Sequence, residues 1–191
     1  SAVDYYVTIS DDNGCAIGSN TFSISEPAAI IIDNPLGIDE TCFGSCDGSI
    51  QVSAMGGTGT LMYSIGGAFQ PSGIFSNVCA STYTVTVRDA INCTSNVDIT
   101  VGGPDEIILN ATPHDVSCNG SSDGYIDLTI TNGVSPFSFT WATTDGSGLT
   151  AGQQNQTDLT AGNYSVTVTD DSNCSATTTV TINEPDDFTL T

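Results

Sequence analysis

One short passage occurs three times in this chain: YYVTISDDNGC (Tyr5 to Cys15), YTVTVRDAINC (Tyr83 to Cys93) and YSVTVTDDSNC (Tyr164 to Cys174). In each copy a Tyr stands ten positions before a Cys, and apolar residues alternate with polar ones between them. The period is 78 residues and then 81, so each copy is large enough to be a small domain and far too long to be a solenoid coil. A chain of 191 residues with that period holds two complete copies and parts of others.

The earlier part of the unit aligns as well. TCFGSCDGSIQVSAMGGTGTLMYSI (Thr41 to Ile65) matches SCNGSSDGYIDLTITNGVSPFSFTW (Ser117 to Trp141) without a gap at an offset of 76. The later offset is 81, so five residues have entered the third copy in TTDGSGLTAGQQNQT, which reads as a surface loop. Period-2 alternation predicts strands with one buried face. Ile50 and Val52 match Ile126 and Leu128; Leu61, Tyr63 and Ile65 match Phe137, Phe139 and Trp141; Val85 and Val87 match Val166 and Val168. Gly, Asn, Asp and Pro punctuate the gaps and no 3.6-residue period is evident. The expectation is an all-β chain of tandem immunoglobulin-like β-sandwich repeats, about seven short strands each. Pro27, Pro104 and Pro185 fall 11 or 12 residues after the repeated Cys and mark the boundaries. Residues 1–27 are then the C-terminal part of a preceding repeat, 28–104 and 105–185 complete repeats, and 186–191 the first strand of a following one. Unfinished sheets expose backbone donors and acceptors, so the Tyr5 to Ile9 strand and Phe188 to Thr191 are expected to need cover from neighbouring sequence or another chain.

Charge narrows the partners. One Arg, no Lys and 22 acidic residues give a net charge of −21. Phosphate recognition draws on clustered cations, so nucleic acid is not expected, and an anionic membrane surface would repel the chain. The longest apolar run, Ala28 to Ile32, is far too short to span a bilayer. Units of about 80 residues bury little core and usually carry staples, so the seven cysteines are read first as disulfides in an oxidising, extracytoplasmic compartment.

The ordered motifs C-x-G-x-x-D-G-x-I (Cys42 to Ile50 and Cys118 to Ile126), Tyr-x-Val-x-Val-x-Asp-x-x-x-Cys and a closing Glu-Pro resemble the SprB-repeat family of giant surface adhesins from gliding bacteria. The resemblance covers nearly the whole chain. It implies secreted, surface-anchored filaments or adhesins, often exported by the type IX pathway and built of immunoglobulin-like modules, with no catalytic element. The chain departs from the pattern at Gly103, where Glu would precede Pro, and at Thr58 to Leu61, where Pro-Tyr is replaced.

Cys46 and Cys79 occur together in the second copy and are both absent from the third, where Ser122 and Thr160 stand instead, so they are expected to bond each other. The other five occupy repeated positions: Cys42 and Cys118 early in the unit, Cys15, Cys93 and Cys174 late. Pairing within units, Cys42 with Cys93 and Cys118 with Cys174, would let each unit fold on its own and leaves Cys15 without a partner. The alternative joins neighbouring units, Cys15 to Cys42 and Cys93 to Cys118. A zinc site is not expected, because no second close Cys pair or His stands at ligand spacing.

Asp11, Asp12, Asp89, Asp170 and Asp171 fall in the turn before the repeated late Cys, and Asp47 and Asp123 at equivalent Asp-Gly turns. They read as calcium ligands that would stiffen an array, or as ordinary turn formers that bond nearby amides; no DxDxDG loop is present. Calcium is thus the one cofactor these residues suggest, and none is required. Tyr5, Tyr83, Tyr164 and Trp141 read as core, the tyrosines as corner residues bonding the backbone. Six Asn-x-Ser/Thr sequences (at Asn92, Asn110, Asn119, Asn155, Asn163 and Asn173) are expected by chance in so Ser- and Thr-rich a chain. The sole histidine, His114, stands in a linker-like stretch with no partner motif for a catalytic triad.

The function these features imply is a non-catalytic structural or adhesive segment of a bacterial cell-surface filament, extracellular, with neighbouring repeats or chains as partners and an unknown surface or glycan ligand. The rival is a carbohydrate-binding array on a secreted polysaccharide-processing protein. The Thr143 to Thr157 loop is the expected place for recognition specific to one unit.

Overall fold

The structure, a computed structural model, describes residues 3–188. It contains strands, turns and no helix among those residues. Residues 189–191, half of the expected final strand, lie outside the described part.

The first four strands are short: β1 (Val3–Tyr5), β2 (Thr8–Ser10), β3 (Ala16–Gly18) and β4 (Phe22–Ile24). β1 pairs β4 and β2 pairs β3, both antiparallel, as two ladders around one turn. Tyr5 was expected in a core, yet it is 53 % exposed, as are most apolar side chains of these ladders. Neither ladder belongs to a larger sheet among the described residues, so its faces stay open.

Two sets of six strands follow. The first comprises β5 (Ile31–Ile38), β6 (Gly48–Met55), β7 (Met62–Ser64), β8 (Ile74–Val78), β9 (Ser81–Arg88) and β10 (Thr94–Val101). The second comprises β11 (Ile108–His114), β12 (Gly124–Thr131), β13 (Ser138–Thr143), β14 (Gln156–Leu159), β15 (Gly162–Thr169) and β16 (Ser175–Ile182). The sheets are β5-β6-β8 with β10-β9-β7, then β11-β12-β14 with β13-β15-β16. In both sets the first, second and fourth strands make one sheet and the third, fifth and sixth the other. Each set has six strands rather than about seven. The chain between its third and fourth strands forms turns, and in the earlier set only Gln70 bridges back, to Tyr63. The architecture is all-β, built as sandwich repeats of antiparallel sheets.

Contacts divide the chain into two compact units, one of residues 1–37, 50–75 and 82–100, the other of residues 38–49, 76–81 and 101–191. In the first unit Ile50, Val52, Tyr63, Val85, Val87 and Ile99 are buried. Arg88, the one Lys or Arg of the chain, lies over the Phe69 ring at 4.0 Å in a cation–π contact. In the second unit one core joins Val116, Ile126, Leu159, Tyr164, Val180 and Ile182, and Leu128, Val166 and Val168 form another. Trp141 packs against both, and its indole N–H donates to the Gln153 carbonyl at 2.9 Å. The alternation along β12, Ile126 and Leu128 in with Tyr125 and Asp127 out, is what a sheet with one wet face requires.

Candidate functional site

The motifs that recur in the sequence come together at turns, each held by a carboxylate. In the second unit Asp170 precedes Cys174 in the turn between β15 and β16. One Asp170 oxygen accepts the amides of Ser172 and Cys174 at 3.0 and 2.9 Å, and the other accepts Val134 N–H at 3.0 Å. The Val134 amide leads in holding this buried carboxyl below its ordinary range; desolvation opposes it, and the Cys174 and Ser172 amides add to it. Asp89 repeats the arrangement in the first unit, accepting Ile91, Cys93 and Thr58 N–H at 3.0, 2.8 and 2.9 Å. Burial is the largest influence on Asp89 and raises it, but the three amides together outweigh burial and the group is lowered. Asp11 accepts Asn13 and Cys15 N–H in the same way.

The C-x-G-x-x-D-G loop is the second recurring part. Asp47 accepts the Thr41 amide and the Thr41 and Ser45 hydroxyls, and these bonds, Ser45 first, lower it to about 2. Asp123 accepts Ser117 N–H at 3.0 Å in the equivalent loop. The motif's first glycine has positive φ in both copies, 70° at Gly44 and 76° at Gly120, where a side chain would be strained. Its second glycine is closely approached: a Cβ on Gly48 would lie 2.7 Å from Val101 and 2.8 Å from the Val78 carbonyl.

A third carboxylate caps this loop, and the two copies take it from different places. Glu40, 5 % exposed, accepts N–H from Gly44, Cys46 and Ala80 at 2.8, 3.1 and 3.3 Å. In the next copy the matching position is Val116, which is core, and Glu184 of the closing Glu-Pro accepts from Gly120 at 2.9 Å. Gly103 holds the Glu184 position in the earlier copy, and a Cβ there would lie 2.5 Å from Glu40. The departure at Gly103 therefore makes room for the carboxylate that arrives from position 40. Nothing in the periodicity identified Glu40; the paired exchange of Glu40 with Val116 and of Gly103 with Glu184 was the available signal.

Cys46 is bonded to Cys79, and Cys42 is bonded to Cys174 with 5.4 Å between Cα atoms. Both bonds lie within the second unit. The expected pairs Cys42 with Cys93 and Cys118 with Cys174 are corrected here, as is the alternative through Cys15 and Cys93: Cys15, Cys93 and Cys118 are free and exposed. The reason is strand length. The Cys118 loop is tied to Glu184 and Pro185, beyond the end of β16 that pairs with the start of β15, whereas Cys174 follows the far end of β15. Eight residues of extended chain stand between the two, roughly 26 Å at a strand's rise. Cys42 is already taken by Cys174 and so is not open to Cys93. The Cys42–Cys174 bond closes a separation of 132 residues, which on a chain-entropy account restricts the unfolded state by roughly 5 kcal/mol.

Beside this bond the second unit carries an open groove of about 930 Å³, lined among others by Phe43, Ile108, Leu109, Val134 and Thr178. Asp89 and Asp170 engage both oxygens with amides and Asp11 engages one, and no three His, Cys, Asp or Glu side chains among the described residues are placed to share a metal. Tyr164 is buried, its hydroxyl 2.7 Å from the Thr160 carbonyl oxygen and 2.9 Å from that of Ser147. His114 lies in β11, not in a linker, stacked on Tyr125 at 3.8 Å with Asp127 3.6 Å from its Nε2. The Thr143 to Thr157 loop is tied inward: Gln154 donates to the Leu128 carbonyl, and Asn155 accepts from Leu128 and donates to Asp127.

The Cys42 and Cys118 loops and the strands that follow them are the parts that match a known family. A family model described as SprB repeat matches residues 39–67 and 110–146. Two regions of the chain match the SprB repeat. A search of curated proteins found no match to the chain. SprB repeats form a structural repeat family of cell-surface proteins, not one known for catalysis, and the two disulfides suit an extracellular setting.

Proposed function

We propose that this segment is a non-catalytic spacer and adhesive array in a long bacterial cell-surface filament, where it acts by extension and by summing weak contacts. The Cys42–Cys174 bond carries the reading, because it braces one SprB repeat against the turn of the next and suits a chain that must keep its shape under load. The carboxylates in the turns hold amides rather than standing free for proton transfer, and a net charge of −21 keeps such arrays apart in solution. Beads coated with the chain are expected to hold to a surface more strongly as the number of linked copies rises, while a glycan array shows no binding by the single chain. Saturable binding of one glycan class by the single chain would overturn this reading in favour of a carbohydrate-binding array.

A further inference from the structure

The structure pairs an early-position cysteine, Cys42, with a late-position cysteine, Cys174, of the following repeat. Only one pair within these residues satisfies that rule. Cys118 is early and would take the late cysteine of the repeat after it; Cys15 and Cys93 are late and would take early cysteines of the repeats before theirs. These three are the cysteines that the structure leaves free, and all three are exposed.

The free cysteines sit in the same settings as the bonded ones. Cys118 accepts Ser121 N–H at its carbonyl at 3.0 Å, as Cys42 accepts Ser45 N–H at 3.0 Å. The loops around them are closed alike, Asp123 on Ser117 and Asp47 on Thr41, with a carboxylate on Gly120 and on Gly44. At the late position the residue four before the cysteine binds it twice. Asp170 and Cys174 exchange bonds of 2.9 and 2.9 Å, Asp89 and Cys93 bonds of 3.0 and 2.8 Å, Asp11 and Cys15 bonds of 2.9 and 2.8 Å. Equivalent thiols held in equivalent frames meet equivalent partners.

We infer that Cys118 is a bonding site for the late-position thiol of a following SprB repeat in the same chain, and that Cys15 and Cys93 are bonding sites for early-position thiols of preceding repeats. Successive repeats are thereby joined by one disulfide each, as rungs along the array. Each rung forms when two thiols exchange with an external disulfide: one S–S bond forms and one breaks, the two protons and two electrons pass to the external disulfide, and it leaves as two thiols. The inference stands apart from adhesion, so its failure would leave the proposed function in place.

The test joins a second copy of residues 105–185 after Pro185 in the full chain, oxidises it with oxidised glutathione, alkylates the remaining thiols and maps linked peptides by mass spectrometry. Cys118 is expected to lose its reactivity toward the alkylating reagent and to appear linked to the added copy of Cys174, and Cys118→Ser is expected to return that added thiol to full alkylation. A bond within the added copy, or a Cys118 that stays alkylated, overturns the inference. Mixing isotopically labelled and unlabelled chains separates the sources: linked peptides of mixed label would place the partner on another chain and overturn the in-chain rung. The unextended chain supplies a check that needs no added repeat to fold. With Cys42→Ser, Cys174 and Cys118 are both expected to be alkylated; a Cys118–Cys174 bond instead would break the rule.

Discussion

Glu40 and Val116 stand at matching places in the two regions that resemble the SprB repeat, one a buried carboxylate and the other core, and the difference is compensated at Gly103 and Glu184. A loop that ends in several inward-facing amides needs an acceptor, and it is indifferent to which strand end supplies it. Glu40→Val alone strips the acceptor from the Gly44, Cys46 and Ala80 amides and is expected to destabilise the chain by about 2 kcal/mol. Gly103→Glu alone places a side chain against Glu40 and is also expected to destabilise. Together they rebuild the arrangement of the following repeat, so the double variant is expected to recover most of the loss, a coupling that urea unfolding of the four proteins would read as a double-mutant cycle. Additive losses would show that the two positions do not exchange the carboxylate.

At the scale of the element, the five-residue insertion in the third copy is a loop with its own anchor. Gln156, 1 % exposed, accepts Thr150 N–H at 2.7 Å and donates to the Thr150 and Gln153 carbonyls at 2.9 and 3.2 Å. Gln156→Ala removes all three bonds where water cannot replace them and is expected to lower stability by about 2 kcal/mol, with faster amide exchange at Thr150 as the local readout. Alternation made the strands legible: Ile50, Val52, Val85, Val87, Ile126, Leu128, Val166 and Val168 are all buried as the period-2 pattern requires. The anchoring of this loop was not legible, because a Gln in a polar run gives no periodic signal and its burial follows from bonds to residues a few positions away. The disulfide from Cys42 was hidden for a different reason. Repeat counting equates positions along the sequence but does not say at which end of a strand each falls, and eight-residue strands separate the ends of a sandwich by more than a disulfide can reach. Tyr5 matches Tyr83 and Tyr164 in sequence but lies in a two-stranded ladder that has no opposing sheet among the described residues, and so is exposed.

For the whole molecule, acidity and stability are linked through the bonded carboxylates. Asp47, Asp89, Asp123, Asp145 and Asp170 are all lowered by hydrogen bonds from amides or hydroxyls, against the desolvation that raises them. A lowered group contributes stability that is complete above its unfolded value of about 4 and is lost as the pH falls through its folded value. Repulsion among the 22 acidic residues relaxes over the same range, so the melting temperature alone mixes two opposite effects. Comparison with Asp47→Asn isolates one of them. The variant is expected to melt below the parent by a constant margin above about pH 4, and the margin is expected to close toward the Asp47 value of about 2. Melting curves of both proteins across that range check the sign; a margin that widened on acidification would contradict it.

The bond between Cys42 and Cys174 also decides where tension can travel. A pull applied at the two ends of the chain crosses from one sulfur to the other, so the residues enclosed between them are shielded from stretching while the bond holds. With a separation of 132 residues, roughly 450 Å of contour stays locked away from such a pull.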